Sequence, residues 1–282
     1  MKRDPYEDFA RVYDDWQKLY PRPFSLALAP KVAAALTEFG VPTTVLADLA
    51  CGTGTFASWW SRTHRAWTVF GSDRSAAMIR RARAAADQGL GGSVASGASG
   101  PLRADGPDRF GRGRSARTPK FLVQDLRDLS LPQPAGVLTC LFDSLNHVTR
   151  RSELGRIFRR VRAVLAPGGL FIFDLVDDRG FREVFTGSSI LRGRSLYVGI
   201  ETEFVRARSA GYGAARFTFF RRNARGWRSS EFRIRERRWL SGEIRALLRA
   251  AGLHCLRVTR LDAYESDEFL VPRTFWICRR PE

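Results

Sequence analysis

Short apolar runs alternate with segments of helical periodicity between residues 45 and 174. The runs predict five strands, at Val45–Leu49, Ala66–Gly71, Phe121–Val123, Gly136–Phe142 and Leu170–Asp174. The fourth run is continuously apolar, which is typical of a strand that is buried on both faces. Strands separated by helices usually pair in parallel, so the pattern predicts a parallel sheet covered by helices.

Two of the intervening helices are well marked in the sequence. Ser75–Ala86 begins with a serine that can cap the first turn. The second helix has an apolar stripe at helical spacing, with arginines on its other face, formed by Leu154, Ile157, Phe158, Val161, Val164 and Leu165. Pro167-Gly168-Gly169 predicts the end of this helix and a turn before the fifth strand.

The pattern changes over residues 190–240, where apolar and polar residues alternate in three segments, Tyr197–Val205, Ala215–Phe220 and Trp227–Arg238. Gly211, Gly213 and Asn223–Gly226 separate these segments and predict turns. We therefore predict an antiparallel β cap, inserted after the fifth strand of the parallel sheet.

The chain ends in a predicted helix and two strands, and it carries one long insertion. The helix is Ser241–Ala251, with Ser241 as its N-cap and Gly252 after its last turn, and the strands are His254–Leu261 and Arg273–Cys278. Residues 89–119 are rich in Gly, Ser, Pro and Arg and lack apolar periodicity. That composition predicts a flexible surface insertion.

The composition fits one domain with a sizeable core, because the 282 residues are 44% hydrophobic. No apolar run approaches the roughly 20 residues that cross a bilayer, and the N-terminus lacks the apolar stretch of a signal peptide. We therefore expect a cytoplasmic protein. The four cysteines lack the close spacing of a zinc or redox site, so no metal site is predicted.

The net charge of +18 invites a nucleic-acid interpretation. However, all but four of the 47 basic residues are arginines, and they are spread from end to end. They do not form the basic cluster with interleaved aromatics that binds single strands. We therefore expect neither a nucleic-acid nor a membrane partner, and either a monomer or a homodimer.

A glycine loop follows the first predicted strand and begins a helix. Its sequence, Gly52-Thr53-Gly54-Thr55-Phe56-Ala57, satisfies the G-x-G-x-x-A pattern of dinucleotide-binding proteins. Asp73 follows about 20 residues later, where an acidic residue can hold a ribose diol. At this point the loop fits a nicotinamide dinucleotide as well as S-adenosylmethionine.

Three features near the loop favour S-adenosylmethionine. Asp48 lies just before the loop, where a carboxylate would repel a pyrophosphate but attract the ammonium of a methionine moiety. Asp125 ends the third strand, where it can accept a hydrogen bond from an adenine amine. Residues 142–147 follow the fourth strand and add polar groups at the same sheet edge, where open α/β sheets bind ligands.

At these residues the chain resembles the class I S-adenosylmethionine-dependent methyltransferases that act on small molecules. Five segments match in the family's order, and they are Asp48–Gly54, Val69–Ser75 with Met78, Gln124–Leu126, Leu141–His147 and Leu165–Phe171. The resemblance implies a Rossmann-like three-layer α/β sandwich. Its sheet would have seven mostly parallel strands and a C-terminal antiparallel hairpin, and its cofactor would be S-adenosyl-L-methionine.

The resemblance also implies roles for the matching residues. Asp73 would hold the ribose hydroxyls, Asp125 would hold the adenine amine beside Leu126, and Asp48 and Asp143 would face the methionine end. Glycines in the loop would let the backbone approach the cofactor closely. The remaining cofactor contacts would come from Ala50, Gly52, Gly54, Arg74, Met78 and Phe142.

Two features concern the methyl acceptor. Residues 1–40 resemble the helical lid that covers the cofactor in small-molecule members of the family, with Tyr13 near the methionine carboxylate or the substrate. Methyl transfer needs no obligatory catalytic side chain, but an amine or hydroxyl can require a base. His147, after the fourth strand, is the candidate base.

We therefore expect a methyltransferase that acts on a nitrogen or oxygen of a small molecule. Two alternatives remain open from the sequence. One is an NAD(P)-dependent oxidoreductase, and the other is a non-catalytic cofactor- or RNA-binding module.

Overall fold

A computed structural model describes residues 6–20, 24–88, 118–206, 211–261 and 271–282. The predicted insertion at 89–119 lies outside these residues, apart from its last two positions. Among the described helices, none is long and apolar enough to cross a membrane.

The described strands and helices are numbered in chain order. The strands are β1 Val45–Leu49, β2 Thr68–Asp73, β3 Lys120–Val123, β4 Ala135–Cys140, β5 Leu165–Val176, β6 Gly187–Arg192, β7 Leu196–Arg206, β8 Gly211–Asn223, β9 Gly226–Arg238, β10 His254–Leu261 and β11 Arg273–Arg279. The helices are α1 Glu7–Gln17, α2 Phe24–Ala27, α3 Ala29–Phe39, α4 Thr55–Thr63, α5 Ala76–Asp87, α6 Arg151–Val164, α7 Asp178–Val184 and α8 Ser241–Ala250.

The main sheet has seven strands in the order β10-β11-β5-β4-β1-β2-β3. Strands β1 to β5 pair in parallel, and β11 joins β5 and β10 in antiparallel fashion. All six residues of β4 are buried, in agreement with its continuously apolar sequence. The predicted α/β fold, with its C-terminal antiparallel hairpin, is therefore confirmed.

Helices cover both faces of the main sheet and bury separate apolar clusters. On one face, Leu154 and Phe158 of α6 pack with Ile244 of α8 against the sheet. On the other face, Val32 of α3 and Trp60 of α4 pack against the opposite side chains of the same strands. These two clusters form the two interfaces of a three-layer sandwich.

Strands β6 to β9 form a second, antiparallel sheet that corresponds to the predicted cap. Its inner face packs with α1 and α7 in a third apolar cluster. The β8–β9 turn lies between Asn223 and Gly226, as predicted. Strand β6 was not predicted, because five of its six residues are exposed and no apolar alternation marks them.

Three local predictions were wrong. Gly211 begins β8, but Gly213 does not separate strands; it lies within β8, where an aromatic ring occupies the space of its missing side chain. A Cβ at Gly213 would lie 2.5 Å from the ring of Phe185. Ser241 is not the N-cap of α8; Leu240 takes that position, and its N–H donates to Glu243 at 3.3 Å.

The third error concerns the turn before β5. Helix α6 ends at Val164, and β5 already begins at Leu165, so Pro167-Gly168-Gly169 lies within the strand. Leu165 pairs with Ala135 and Leu170 pairs with Val137. The register between β4 and β5 therefore shifts at this point, which accommodates residues 166–169 of β5. The glycines also pair with the C-terminal chain, because Arg280 N–H donates to Gly169 O at 2.9 Å.

Candidate active site

A cavity of about 790 Å³ lies at the carboxyl edge of the parallel strands, beneath α1 and the β cap. Its position is the topological switch point of an open α/β sheet, since β2 and β4 flank β1 on opposite sides. Every predicted site residue except Gly54 lines this cavity. They are Tyr13, Asp48, Ala50, Gly52, Asp73, Arg74, Met78, Asp125, Leu126, Phe142, Asp143 and His147.

The glycine loop after β1 turns sharply through left-handed backbone conformations. Ala50, Gly52 and Gly54 have φ values of 53°, 56° and 74°. A Cβ at Gly52 would lie 3.7 Å from the ring of Tyr13, which is ordinary contact distance. A Cβ at Gly54 would lie 2.5 Å from the ring of Phe121, so this glycine is required for packing behind the cavity.

Asp73, at the end of β2, is held by two backbone donors. Its Oδ2 accepts from Gly52 N–H at 3.0 Å, and its Oδ1 accepts from Ser75 N–H at 2.8 Å. Ser75 in turn caps α5, because its hydroxyl accepts from Met78 N–H at 3.2 Å. The same carboxylate therefore orders the loop and the helix start while it lines the cavity.

Asp48 lies at the end of β1 and is only 4% exposed. Thr139, its register partner on β4, donates its hydroxyl to Asp48 Oδ1 at 2.8 Å. Burial raises the pKa of Asp48 to about 7, and the hydrogen bond from Thr139 opposes that rise. A positive group in the cavity would stabilise the ionised form of this carboxylate.

Asp125 follows β3 and forms an ion pair with Arg127. The guanidinium donates to both carboxylate oxygens, at 2.9 Å and 2.6 Å, and Arg127 N–H adds a third bond at 2.9 Å. These hydrogen bonds lower the pKa of Asp125. The charged carboxylate still lines the cavity, where its free lone pairs can accept from a ligand amine.

The turn after β4 is held in a strained conformation by a buried ion pair. Phe142 and Asp143 have φ values of 60° and 48°, and their N–H groups donate to Asp174 at 2.6 Å and 3.1 Å. Arg273 on β11 donates to Asp174 at 2.7 Å and to Asp143 at 3.3 Å. We did not predict Asp174 or Arg273, although a carboxylate at the end of the apolar fifth strand was a usable signal.

Helix α1 is attached to the glycine loop and to α5 by side-chain bonds. Asp14 accepts from the Thr53 hydroxyl at 2.6 Å and from Arg81 at 3.0 Å, and Glu7 accepts from Arg80 at 2.8 Å. These contacts hold Tyr13 over the loop. Burial raises the pKa of Tyr13, and nearby carboxylates raise it further, so its hydroxyl stays protonated and can donate.

The cap side of the cavity combines aromatic and aliphatic side chains with hydroxyl groups and the buried carboxylate of Glu236. Phe9 of α1 stacks on Phe232 of β9, with ring centroids 4.1 Å apart. Glu236 lies four residues after Phe232, on the same face of β9. It is 2% exposed, and its Oε2 has no hydrogen-bond partner among the described residues. Burial raises the pKa of Glu236, and the charge of Asp143 raises it further.

Glu236 lies close to two residues that follow β4. One polar atom from each of Asp143, His147 and Glu236 falls within 4.8 Å of the others, and His147 Nε2 is 3.8 Å from Glu236 Oε1. Burial lowers the pKa of His147 to about 4, with a smaller effect from Arg74, so the imidazole is neutral near pH 7. This group of acceptors could hold an ammonium or a metal ion. We did not predict Glu236, whose only sequence signal is its inward position after Phe232 and Ile234.

A family model described as "Methyltransferase domain" matches residues 47–173, which include most of β1, all of β2 to β4 and most of β5. No curated protein sequence matches the chain significantly.

Solved structures of methyltransferases share the fold at low sequence identity. An S-adenosylmethionine-dependent methyltransferase from Clostridium acetobutylicum is 19% identical, with a TM-score of 0.71, and the match covers 99% of this chain and 100% of that chain. The sugar N-methyltransferase KedS8 from Streptoalloteichus is 20% identical, with a TM-score of 0.65 and coverage of 96% and 93%.

A third structure, CalS10 from Micromonospora echinaspora, is an amino pentose methyltransferase with S-adenosylmethionine bound. It is 19% identical, with a TM-score of 0.60 and coverage of 89% of each chain. At these identities the structures establish the common fold, while the domain match establishes the methyltransferase core. Residues 47–173 therefore carry a methyltransferase domain, and the chain has the Rossmann-like fold of the S-adenosylmethionine-dependent methyltransferases to which it is similar.

Proposed function

We propose that this protein transfers a methyl group from S-adenosylmethionine to a nitrogen or oxygen of a small molecule. The observation that carries the proposal is a single cavity with two different walls. One wall is the carboxylate-rich sheet edge that suits a nucleoside cofactor, and the other is the aromatic β cap. A cavity of about 790 Å³ closed by α1 and a cap suits a small acceptor.

The residues of the sheet edge fit this cofactor. Gly52 leaves room between the loop backbone and Tyr13, and the Asp73 carboxylate lines the cavity, where it can accept from ribose hydroxyls. Met78 and Leu126 add apolar surface near Asp125 for an adenine ring. Asp48, ahead of the loop, suits an ammonium group but would repel a pyrophosphate, which disfavours a nicotinamide dinucleotide.

When bound, S-adenosylmethionine would supply an electrophilic methyl group on a sulfonium. The role of the protein is to hold the acceptor in line with that group and to exclude water. The strained turn at Phe142 and Asp143 lies beside the glycine loop, and its two hydrogen bonds to Asp174 hold its backbone in place. His147 lines the cavity as a neutral imidazole and can accept a hydrogen bond from the acceptor.

The names of two structurally similar proteins support a small amine as acceptor. KedS8 is named as a sugar N-methyltransferase and CalS10 as an amino pentose methyltransferase. Both matches extend over most of this chain rather than over the core domain alone.

A turnover screen with methyl-labelled S-adenosylmethionine tests the proposal. Matched amines, alcohols and carboxylic acids are offered as acceptors, and label transfer and S-adenosylhomocysteine release are measured. We expect transfer to at least one amine or alcohol, and its loss in Asp73→Ala. Binding of NAD without binding of S-adenosylhomocysteine would contradict the proposed function.

A further inference from the structure

The buried carboxylate on the cap indicates the chemistry of the acceptor. We infer that Glu236, together with Asp143 and His147, binds the protonated amine of the methyl acceptor and takes its proton. This inference rests on the proposed methyltransferase function, and it selects nitrogen over oxygen as the acceptor atom.

Glu236 has no hydrogen-bonded cation among the described residues, although the charge of Arg273 opposes the rise in its pKa. It is 2% exposed, and its buried Oε2 has no hydrogen-bond partner in the described chain. A buried carboxylate that no donor reaches is stabilised either by taking up a proton or by binding a cation. An acidic residue in this position is therefore expected to meet a cation in the functional complex.

The arginines near Glu236 are engaged with other carboxylates. Arg237 donates to Glu243 at 2.8 Å, and Arg238 forms an ion pair with Asp178. Arg273 donates to Asp174 at 2.7 Å and to Asp143 at 3.3 Å. No described residue donates a hydrogen bond to Glu236 Oε2, and Glu236 lines the cavity, from which a ligand can supply that donor.

The geometry suits an ammonium group. Asp143 and His147 approach from the end of β4 and Glu236 from β9, with one polar atom of each within 4.8 Å of the others. An ammonium has three N–H donors, and the three side chains present two carboxylates and one neutral imidazole nitrogen. A hydroxyl acceptor has no charge and a single donor, so it would leave Glu236 uncompensated.

The same surroundings favour proton transfer within the complex. The wall of Phe9, Phe217 and Phe232 lowers the local dielectric, which favours a neutral pair over an ion pair. One N–H bond of R–NH3+ breaks and one O–H bond forms on the Glu236 carboxylate, leaving R–NH2 and a carboxylic acid. The nitrogen lone pair is then available as a nucleophile. The raised pKa of Glu236, caused by burial, agrees with this transfer.

Sinefungin tests the inference directly, because this cofactor analogue carries a primary amine where S-adenosylmethionine carries the transferred methyl group. Its affinity and that of S-adenosylhomocysteine are measured by isothermal titration with the full chain. We expect the wild type to prefer sinefungin, and Glu236→Gln to lose about tenfold or more of that preference, as for a charged hydrogen bond. Affinity for S-adenosylhomocysteine should stay within about twofold, since it has no amine there.

Glu231→Gln is the matched control, because Glu231 lies on the same strand with its side chain 44% exposed and paired to surface arginines. It should leave both affinities unchanged. Glu236→Asp keeps the charge but withdraws it by one methylene, and it should retain part of the sinefungin preference. This variant also serves if Glu236→Gln does not fold.

Three results separate the competing explanations. An unchanged sinefungin preference in folded Glu236→Gln and Glu236→Asp would overturn the inference while leaving the proposed function intact. Failure of the wild type to bind S-adenosylhomocysteine would instead contradict the proposed function. Stoichiometric binding of Zn²⁺ or Mn²⁺ alone, lost in Glu236→Gln, would assign the three side chains to a metal and also overturn the inference.

Discussion

The two walls of the cavity satisfy their polar groups in different ways. On the sheet side, each carboxylate has a partner within the protein: Asp73 binds two backbone N–H groups, Asp125 binds Arg127, and Asp48 binds Thr139. On the cap side, Glu236 is buried beside Asp143 and His147, and its Oε2 has no hydrogen-bond partner among the described residues.

This difference separates a preorganised site from one that its ligand completes. The sheet side has a loop and a strained turn held by hydrogen bonds before any ligand arrives, as expected for precise positioning. Glu236 Oε2 is one of several buried polar atoms without a hydrogen-bond partner among the described residues, and it is an exception within the cavity's carboxylates that needs an explanation. We attribute the exception at Glu236 to the charge of the acceptor.

The largest expected effect comes from Gly54, which shapes the sheet side from behind. Gly54→Ala adds about 1–2 kcal/mol of left-handed backbone strain and about 1–3 kcal/mol of overpacking against Phe121. We expect the free energy of unfolding to fall by roughly the sum, about 2–5 kcal/mol, in urea denaturation.

Gly52→Ala is the matched control for this substitution. Its φ of 56° is similar, but its Cβ would meet Tyr13 only at ordinary contact distance. It should lose only about 1–2 kcal/mol of stability. Equal losses in the two variants would show that the Phe121 contact does not constrain the loop.

The next effect concerns cofactor affinity. Asp73→Ala removes a carboxylate that holds the loop and is expected to hold the ribose, so S-adenosylhomocysteine should bind more weakly by about 1–3 kcal/mol. Isothermal titration measures the loss. Glu38→Ala, on the far end of α3 and paired with Arg257, should leave affinity unchanged. Unaltered binding in Asp73→Ala would remove this residue from the cofactor site.

His147 lies where the two walls meet, and its burial predicts a pH dependence of stability. Its pKa falls to about 4 from the ordinary 6.5, so the unfolded chain binds this proton at higher pH than the folded chain does. The stabilising contribution of His147 to the free energy of unfolding is therefore fully present above pH 6.5 and is lost as the pH falls toward 4.

The wild type should lose more unfolding free energy than His147→Asn does between pH 6.5 and pH 4. The difference should be on the order of 1–3 kcal/mol. Urea denaturation at several pH values measures the difference from the wild type. His254→Asn is the control, because His254 is exposed at the start of β10. Parallel curves for wild type and His147→Asn would contradict the burial of a neutral imidazole.

The smallest effect is expected for the attachment of α1. Asp14→Ala removes the acceptor for Thr53 and Arg81, both partly exposed bonds, and should cost about 0.5–1.5 kcal/mol. Faster amide exchange in α1 would report the weakened attachment. Asp15→Ala, whose partners Lys18 and Arg221 are at the surface, is the control. Identical exchange in both variants would mean that Asp14 does not hold the helix.

Features that depend on local signals were predicted well. The bounds of β1 and the Ser75 cap of α5 follow from an apolar run and a capping residue, and both are as predicted. The predicted loop, strand-end carboxylates and His147 all meet at one cavity, because parallel strands end at the same sheet edge.

Features that depend on distant parts of the chain were not predicted. Asp174 reaches residues 31 and 32 positions away, and Arg273 reaches Asp143 across 130 positions. Glu236 is unusual only because the cap folds over the sheet and buries it. Gly54 was assigned to the cofactor, whereas its strict requirement comes from the packing of Phe121, a residue of another strand.

The most direct test of the division between the two walls is paired titration of the wild type with S-adenosylhomocysteine and NAD. The sheet-side carboxylates predict saturable, stoichiometric binding of S-adenosylhomocysteine and no measurable binding of NAD. Binding of NAD with no binding of S-adenosylhomocysteine would contradict the account.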